Sequence, residues 1–359
     1  MAANPNPKAE ARPANAGPRG AATRALNVVA MGGGTGLSTL LKGLKRFVAP
    51  AGEVAAAAAE TAIADLAAVV TVTDDGGSSG RLRKEFNMLP PGDIRNCMVA
   101  LSEDEALLSR LFQHRFAGGS GLEGHNFGNL FLTALTSVTG DFAEAVRHSS
   151  DILATRGRIF PATTANVQLV ALMDDGTRVE GETRITAHPR RIVELRMAPE
   201  DAPPLPQTLE AIAHADLISI GPGSLFTSLA TNLLVRGIPE AIAASRAVKV
   251  LVCNLMTQAN ESLGLTAADH IRALAKHARG CRIVDYALLN TGELEPQLKA
   301  KYALEGASQI VADAEAIRAL GVEPVLDNYL EPGPVARHAA EPVARALLRL
   351  ATDHMSRQA

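Results

Sequence analysis

The sequence contains few aromatic residues and few cysteines. Aromatic residues make up 3% of it and tryptophan is absent, so stacking platforms for single-stranded nucleic acid are poorly supplied. The three cysteines, Cys97, Cys253 and Cys281, lie far apart and form no CxxC pair. This spacing favours free thiols in a reducing compartment over a disulfide framework or a metal site, and it predicts a cytoplasmic protein.

A strong excess of one charge and long apolar runs are also missing. The 35 basic and 38 acidic residues leave a formal charge of −3, which provides no field to hold a nucleic-acid backbone. The sequence has no uninterrupted apolar run of the length that spans a bilayer, so we expect a soluble protein without a membrane partner. Residues 1–24, rich in Ala, Pro, Asn and Gly, lack the apolar region of a signal peptide and predict a disordered tail.

Short β-branched runs alternate with helical patterns along the rest of the chain. The predicted strands are Asn27–Met31, Ala67–Thr73, Asp216–Ile220, Lys249–Cys253 and Arg282–Leu289. The predicted helices are Leu37–Phe47, Asp93–Ser102, Glu105–Phe116, Asn129–Val138, Phe142–Leu153, Leu225–Val235, Ala267–His277 and Pro342–His354. This alternation predicts an α/β fold with a doubly wound, mainly parallel sheet, in a single domain over residues 25–359.

Residues 165–198 interrupt this alternation. Apolar and polar residues alternate up to an Asp-Gly turn at 174–177, and the extended character resumes over Val179–Ile185. This pattern predicts a small antiparallel hairpin, to which Ile192–Met197 could add, as an excursion from the parallel sheet.

Glycines are concentrated in a turn that follows the first predicted strand. Residues 26–38 place an apolar strand, a glycine-rich turn and a helix start in succession. The turn fails G-x-G-x-x-G, because Leu37 and Thr39 stand where glycine is required, and it lacks the Walker lysine. Glycine backbone before a helix presents N–H groups to an anion, whereas the alternative is a tight turn without a ligand. The residues predicted to bind phosphate are Gly33, Gly34, Thr35 and Gly36.

A second loop, residues 73–81, carries two adjacent carboxylates at the end of a predicted strand. Asp74 and Asp75 repel each other unless a cation, a hydroxyl-rich ligand or basic groups compensate them. They could hold Mg²⁺ against a phosphate, accept hydrogen bonds from sugar hydroxyls, or lie in a solvated turn that caps a helix. Further candidates for ligand binding in and after this loop are Gly76, Ser78, Ser79, Arg81 and Arg95.

Two more loops precede apolar helices. In residues 124–129, Asn126 and Asn129 could cap a helix or bind a ligand. His125 between them is interpreted as structural, because no paired nucleophile is visible. Residues 221–225 again join a strand to a helix, and their candidates for an anion site are Gly221, Gly223 and Ser224. Loops at the carboxyl ends of parallel strands meet in one crevice, so we expect a common site.

Together these loops resemble the YvcK family of bacterial proteins, often called gluconeogenesis factors, which is related to the CofD 2-phospho-lactate transferases. The resemblance covers about residues 26–350 and includes the strings PPGDIRN at 90–96, LFQHRF at 111–116 and CNLMTQ at 253–258. It implies a Rossmann-like fold, a cytoplasmic location and UDP-N-acetylglucosamine or another nucleotide sugar as the ligand.

The resemblance also implies two ligand-binding residues near the C-terminus, Tyr302 and Arg337. An aromatic ring can pack on uracil or sugar, and a guanidinium can pair with pyrophosphate. The implied role is regulation of a partner protein that supports cell-wall precursor supply and cell shape during gluconeogenic growth. No catalytic residue and no required cofactor are assigned.

Other functions stay open. A CofD-like transferase would move a phospholactyl group from a nucleotide donor, with Mg²⁺ near Asp74 or Asp75. An NAD(P)-dependent dehydrogenase would keep the fold but lacks the dinucleotide glycine pattern. Formation of a homo-oligomer is a further expectation.

Overall fold

The computed structural model describes residues 25–49, 62–103 and 107–358. The predicted tail at residues 1–24 lies outside the described residues. The strands in chain order are β1 Leu26–Gly32, β2 Ile63–Val70, β3 Arg158–Pro161, β4 Gln168–Met173, β5 Arg178–Glu180, β6 Ile192–Ala198, β7 Leu217–Ile220, β8 Val248–Val252, β9 Tyr286–Asn290, β10 Glu323–Asp327, β11 Leu330–Glu331 and β12 Arg337–His338.

The helices fill the connections between the strands. They are α1 Gly34–Leu44, α2 Gly77–Phe86, α3 Gly92–Leu101, α4 Leu108–Gln113, α5 Phe127–Thr139, α6 Phe142–Ile152, α7 Glu182–Ala187, α8 Pro206–His214, α9 Thr231–Leu234, α10 Ile238–Ala244, α11 Ala267–His277, α12 Pro296–Ala303, α13 Ala314–Ala319 and α14 Ala340–Gln358. A 3₁₀ turn, Lys45–Phe47, follows α1, and a π-helix, Leu225–Ala230, precedes α9.

Seven strands form a parallel sheet in the order β10-β9-β8-β7-β1-β2-β3. In the centre of the sheet, Met31 of β1 lies opposite Val69 of β2 and Ile220 of β7. The central strands are buried on both faces because helices cover both sides, which explains their continuous apolar sequence. The predicted doubly wound, Rossmann-like α/β fold is confirmed.

The order of the strands reverses at β1. The chain builds β2 and β3 on one side of β1, and it later returns to build β7 and the following strands on the other side. The loops after β1 and β7 therefore lie next to each other at the carboxyl edge of the sheet. In doubly wound folds this is the position of the ligand crevice.

A separate three-stranded antiparallel sheet, in the order β5-β4-β6, confirms the predicted excursion. The prediction that the extended chain continues to Ile185 is wrong, because α7 begins at Glu182. Gly181 has a φ of 92°, which ends the strand, and the Asp75 carboxylate accepts hydrogen bonds from the N–H and hydroxyl of Thr183 in the first turn of α7. The turn is therefore stabilised by a residue that lies far away in the sequence.

Residues 73–81 are a loop only as far as Gly76, because α2 begins at Gly77. Ser78, Ser79 and Arg81 are therefore helical residues, which corrects the prediction. Gly80 inside this helix is needed for close packing, since an added Cβ would lie 1.9 Å from the backbone oxygen of Asp75. Polar residues and glycines obscured a helix whose apolar anchor is the single buried Leu82.

Most of the other predicted elements are present with shifted ends. The helix predicted over Glu105–Phe116 is shorter, since α4 covers only Leu108–Gln113, and residues 104–106 lie outside the described part of the chain. The predicted strand from Arg282 starts later, at Tyr286. No described helix is both long and apolar enough to cross a membrane.

Candidate functional site

A cleft of about 450 Å³ opens at the reversal of strand order between β1 and β7. The loops that follow the two strands touch, because an added Cβ at Gly36 would lie 2.4 Å from the backbone oxygen of Pro222. Only glycine at position 36 permits this approach. We call this cavity the switch-point cleft.

The switch-point cleft contains eight of the predicted ligand-binding residues. They are Gly33, Gly34, Thr35, Gly36, Gly223, Ser224, Tyr302 and Arg337. Gly221 belongs to the same loop as Gly223, has a φ of 84° and packs against Leu229 and the backbone of Val252. The structure thus brings together the N-terminal glycine turn and two side chains close to the opposite end of the chain.

One wall of the cleft is the start of α1. Gly34 has a φ of 61°, a conformation that favours glycine, and α1 begins at this residue. The first amides of a helix have no partner within the helix, and the helix dipole places partial positive charge at the same end. This wall is therefore suited to an anionic group.

The opposite wall is formed by the loop after β7 and by residues 254–259. The Gly223 N–H donates to Asn254 Oδ1 at 3.3 Å, and Gln258 Nε2 donates to Ser224 Oγ at 3.1 Å. Gln258 Oε1 is buried without a hydrogen-bond partner. Asn254 and Gln258 were not predicted as site residues, although their string at 253–258 carried part of the resemblance.

Glu261 holds the beginning of the π-helix behind this wall. Its carboxylate accepts hydrogen bonds from the Phe226 N–H at 3.1 Å and the Thr227 hydroxyl at 2.7 Å. Burial raises the pKa of Glu261, while these hydrogen bonds oppose the rise. This role could not be predicted from the sequence, because the residues that Glu261 contacts lie more than thirty positions away.

A cap covers the third side of the cleft and consists of α12 and the β11–β12 hairpin. Tyr302 of α12 accepts a hydrogen bond at its hydroxyl from the Ala336 N–H, at 3.1 Å. Its ring packs with a small apolar cluster, separate from the main core, that contains Leu255, Met256 and Leu294. Arg337 follows Ala336 directly and is exposed at the cleft. It is the one arginine or lysine among the described residues that line the cleft.

Six of the other predicted site residues lie in a second group, which does not line the switch-point cleft. We call this group the polar cluster, and its members are Asp74, Ser78, Ser79, Arg95, Asn126 and Asn129. The remaining three, Asp75, Gly76 and Arg81, lie beside it in the same loop and helix. The N-termini of α2, α3 and α5 meet here, since an added Cβ at Gly92 would lie 2.5 Å from Ser79 Oγ and 3.1 Å from Asp74 Oδ2. Asn129 Nδ2 lies 3.5 Å from Ser79 Oγ.

Several residues in and beside the polar cluster have structural contacts. Asn126 caps α5 by accepting from the Asn129 N–H at 3.2 Å. His125 is buried and its Nδ1 lies 3.1 Å from Ser78 Oγ, and burial lowers its pKa. Arg81 donates to the backbone oxygen of Glu123 at 2.8 Å. These contacts match the structural reading of His125 and the capping alternative for Asn126.

The paired aspartates also have partners inside the protein. Asp74 Oδ1 accepts from the Gly76 N–H at 2.9 Å, and Asp75 Oδ1 accepts from the Thr183 N–H at 2.8 Å. Within residues 25–49, 62–103 and 107–358, no three or more His, Cys, Asp or Glu side chains are grouped as metal ligands. A Mg²⁺ ion near Asp74 would therefore depend on oxygens from a bound phosphate.

Asp93 lies between the cleft and the polar cluster. It accepts the N–H of Gly34, and an added Cβ at Gly33 would lie 2.9 Å from its Oδ2. Burial raises the pKa of Asp93 to about 6, and the charge of Asp74 adds to the rise. Arg95 lies close enough to oppose it, and burial lowers the pKa of Arg95 itself. Asp93 was not among the predicted site residues.

A second carboxylic acid, Glu182 at the start of α7, faces the same region. The Thr73 hydroxyl donates to Glu182 Oε2 at 2.8 Å. Burial raises the pKa of Glu182 well above its ordinary value, and Asp74 and Asp93 add to the rise. The boundary between the cleft and the polar cluster is therefore unfavourable for further negative charge unless protons or cations compensate it.

Comparison with known proteins identifies the family. A family model for 2-phospho-L-lactate transferase CofD matches residues 28–330. The chain is 48% identical over 323 residues to the gluconeogenesis factor of Halalkalibacterium halodurans, covering 90% of this chain and 95% of that protein. It is 45% identical over 324 residues to the gluconeogenesis factor of Bacillus subtilis, covering 90% and 97%.

A solved structure agrees with these matches. The crystal structure of a UPF0052 family protein from Bacillus halodurans superposes with a TM-score of 0.84 at 47% identity, covering 90% of this chain and 99% of that one. The chain therefore belongs to the CofD family, among relatives that are named gluconeogenesis factors.

Proposed function

We propose that this protein is a cytoplasmic regulator that binds a nucleotide sugar, UDP-N-acetylglucosamine in particular, in the switch-point cleft. The observation that carries the proposal is the meeting of Tyr302 and Arg337 with the Gly33–Gly36 turn in one cavity. A volume of about 450 Å³ lies within the range of pockets that hold a ligand of this size.

The chemistry of the walls matches the parts of such a ligand. The α1 N-terminus and Arg337 favour a diphosphate, because amides and a guanidinium both donate to phosphate oxygens. The half-buried ring of Tyr302 offers a packing surface for uracil or sugar. Side chains such as Asn254, Gln258 and Glu305 line the remainder and can exchange hydrogen bonds with hydroxyl and amide groups.

The proposed role is to report nucleotide-sugar supply to a partner protein. The curated relatives are named gluconeogenesis factors, which suggests a need for this protein when carbon enters by gluconeogenesis. UDP-N-acetylglucosamine is a cell-wall precursor, so a regulator that senses it would connect carbon flow with wall synthesis and cell shape. Ligand binding would shift the population of a conformation that the partner recognises.

Calorimetry of the full-length protein with UDP-N-acetylglucosamine tests the proposal. We expect saturable binding, and we expect Arg337→Ala to weaken it by about tenfold to a hundredfold, because a charge-assisted hydrogen bond is lost. Arg236→Ala is the matched control, since Arg236 is exposed and lies outside the residues that line the cleft. Binding that is missing in the intact protein, or equal in both variants, would contradict the proposal.

A CofD-like phospholactyl transferase is the second candidate. The family match favours it, as does the position of Asp74 in the polar cluster, where its charge acts on Asp93. The test is mass spectrometry after incubation with a deazaflavin acceptor and a nucleotide-activated phospholactate. A stoichiometric product that Asp74→Asn abolishes would establish the transferase and displace the non-catalytic regulator.

A further inference from the structure

His338 of β12 lines the switch-point cleft, and one nitrogen of its ring is already bound to the protein. Its Nε2 lies 3.0 Å from the backbone oxygen of Cys253, the residue directly after β8. A carbonyl oxygen can only accept a hydrogen bond, so Nε2 carries the hydrogen and donates it. In the neutral ring this leaves Nδ1 as an acceptor.

The Nδ1 atom of His338 is accessible from the cleft. It has no hydrogen-bond partner among the described residues, and it does not belong to the fully buried polar atoms that lack one. The side chain is half-buried and borders the cavity, while Nε2 holds the ring against the end of β8. The acceptor is therefore held in a fixed position at the cleft.

Burial keeps this acceptor free of charge. It lowers the pKa of His338 to about 4, although the hydrogen bond to Cys253 opposes the fall. At neutral pH the ring therefore accepts a hydrogen bond without adding charge to the cleft. An Asp or Glu side chain would also accept, but its negative charge would repel a diphosphate nearby.

The cleft groups that suit the diphosphate are donors of hydrogen bonds. Arg337 directly precedes His338, and the first amides of α1 form the neighbouring wall. Donors of this kind satisfy phosphate oxygens but cannot accept from a hydroxyl group. In a nucleotide sugar, the two units that adjoin the diphosphate are the ribose and the hexose, and both carry hydroxyl groups.

We propose that His338 is a specificity-determining residue of the switch-point cleft, whose Nδ1 accepts a hydrogen bond from a sugar hydroxyl beside the diphosphate of the ligand. This inference rests on the proposed function, because it takes a nucleotide sugar as the ligand. A ligand without that hydroxyl would leave Nδ1 unpaired inside the site, and a site built to bind a hydroxyl rejects such an analogue.

Two substitutions separate the roles of the two ring nitrogens. His338→Gln places an amide N–H near the position of Nε2, so it keeps a donor for Cys253 but has no acceptor at the position of Nδ1. His338→Asn places an oxygen near the position of Nδ1 but loses the donor to Cys253. His214→Gln is the matched control, since His214 is exposed and lies outside the cleft.

Calorimetry with UDP-N-acetylglucosamine, together with thermal melting, compares these variants of the full-length protein. We expect His338→Gln to melt near the wild-type temperature and to bind about fivefold to tenfold more weakly, because the acceptor is lost. We expect His338→Asn to melt at a lower temperature and to bind more tightly than His338→Gln. The control should bind like the wild type.

Titration with UDP, which lacks the hexose, identifies the hydroxyl. An equal loss of affinity in His338→Gln for UDP and for UDP-N-acetylglucosamine assigns a ribose hydroxyl, and a loss for the sugar nucleotide alone assigns a hexose hydroxyl.

Two results would overturn the role of His338 while leaving the proposed function intact. One is wild-type affinity in His338→Gln, and the other is weaker binding by His338→Asn than by His338→Gln, which would show that the ring only anchors β12 to Cys253. Failure of the intact protein to bind the nucleotide sugar would overturn the proposed function and this inference together.

Discussion

At the scale of single residues, Asp93 is the feature that most affects the account of the site. A carboxylate already accepts the N–H of Gly34, at the helix end where a phosphate would bind. Burial raises its pKa to about 6, which means that the folded protein resists the charged form. Titratable groups with strongly shifted pKa values are often found at binding and catalytic sites, where their function outweighs their cost in stability.

We predict that Asp93 makes the protein less stable as the pH rises from 4 to 6. The folded protein holds a proton on Asp93 over this range while the unfolded chain, with a pKa near the ordinary 3.8, has lost it. The stabilising contribution is therefore complete below pH 4 and is lost by about pH 7, a change of up to about 3 kcal/mol. Asp93→Asn cannot titrate, so its stability relative to the wild type should rise across this range.

Urea unfolding of both proteins at pH 4, 5, 6 and 7 measures this difference. Glu261 also has a raised pKa, but Asp93 is not among the groups that shift it, so its contribution is the same in both proteins. The charge of Asp93 does raise the pKa of Glu182, so the measured difference includes this coupling. A difference that stays constant with pH, or that changes in the opposite direction, would contradict the role given to Asp93.

Gly36 is predicted to be intolerant of a side chain. The Cβ of alanine would lie 2.4 Å from the backbone oxygen of Pro222, and a backbone atom cannot move away cheaply. We expect Gly36→Ala to lower the free energy of unfolding by about 1 to 3 kcal/mol and to weaken ligand binding, because the two loops must separate. Gly118→Ala is the control, since its Cβ would meet nothing within 4 Å. Equal stability of the two variants would refute the close contact.

The glycine turn could be predicted from the sequence because its information is local. Asp93, Glu182 and Glu261 could not, because their partners Gly34, Thr73 and Phe226 lie far away in the sequence. The sequence around a single Asp or Glu does not indicate whether its side chain will be buried. Its role can be recognised only in the folded structure, where its hydrogen-bond partner lies beside it.

At the scale of elements, α12 is attached weakly. None of its eight residues is buried, and Leu298 and Tyr302 are the two that pack against the small apolar cluster. Elements with few buried contacts open more easily than the core. The cap over the cleft is therefore suited to respond to a ligand that touches Tyr302.

We predict that the α12 amides exchange hydrogen quickly in the free protein and slowly with UDP-N-acetylglucosamine bound. Helix α11 is the internal control, because a capping box and several buried residues hold it in both states. Hydrogen exchange read by mass spectrometry compares residues 296–303 with 267–277. Equal protection of α12 with and without ligand would show that the cap does not respond.

Tyr302→Phe removes the hydroxyl that accepts the Ala336 N–H but keeps the ring. We expect ligand affinity to fall about fivefold to tenfold, because the hydrogen bond that holds Ala336, the residue directly before Arg337, is lost. The free energy of unfolding should fall by less than about 1 kcal/mol. Tyr286→Phe, a half-buried tyrosine outside the cleft, is the control. Calorimetry and thermal melting separate the two effects, and an unchanged affinity would rule out this contact as a support for Arg337.

Elements with strong apolar patterns were predicted well, and the edge strands of the parallel sheet were not. The central strands and α11 follow from their patterns, whereas β3 and β10 are short edge strands that each contain a proline. Helix α2 was not predicted because its first turn consists of glycines and serines, which have low helix propensity. Helix α7 was not predicted because its residues alternate in the manner of a strand. For α7 a tertiary contact with Asp75 outweighs local preference. In α2 the backbone of Asp75, just before the helix, lies close against Gly80, which only glycine permits.

At the scale of the whole molecule, the topology explains why distant residues form one site. Reversal of the strand order at β1 brings the loops after β1 and β7 together, and the C-terminal cap closes over them. The sequence predicted this crevice, but it assigned the polar cluster to the same ligand. The structure divides the predicted residues into two groups with Asp93 between them, a separation that requires three-dimensional packing to see.

The most direct test of the central claim is a crystal structure of the full-length protein soaked with UDP-N-acetylglucosamine. We predict the diphosphate at the N-terminus of α1 within hydrogen-bonding distance of Arg337, and the uracil or sugar against the ring of Tyr302. A ligand bound at the polar cluster around Asp74 and Arg95, with the switch-point cleft left empty, would contradict it.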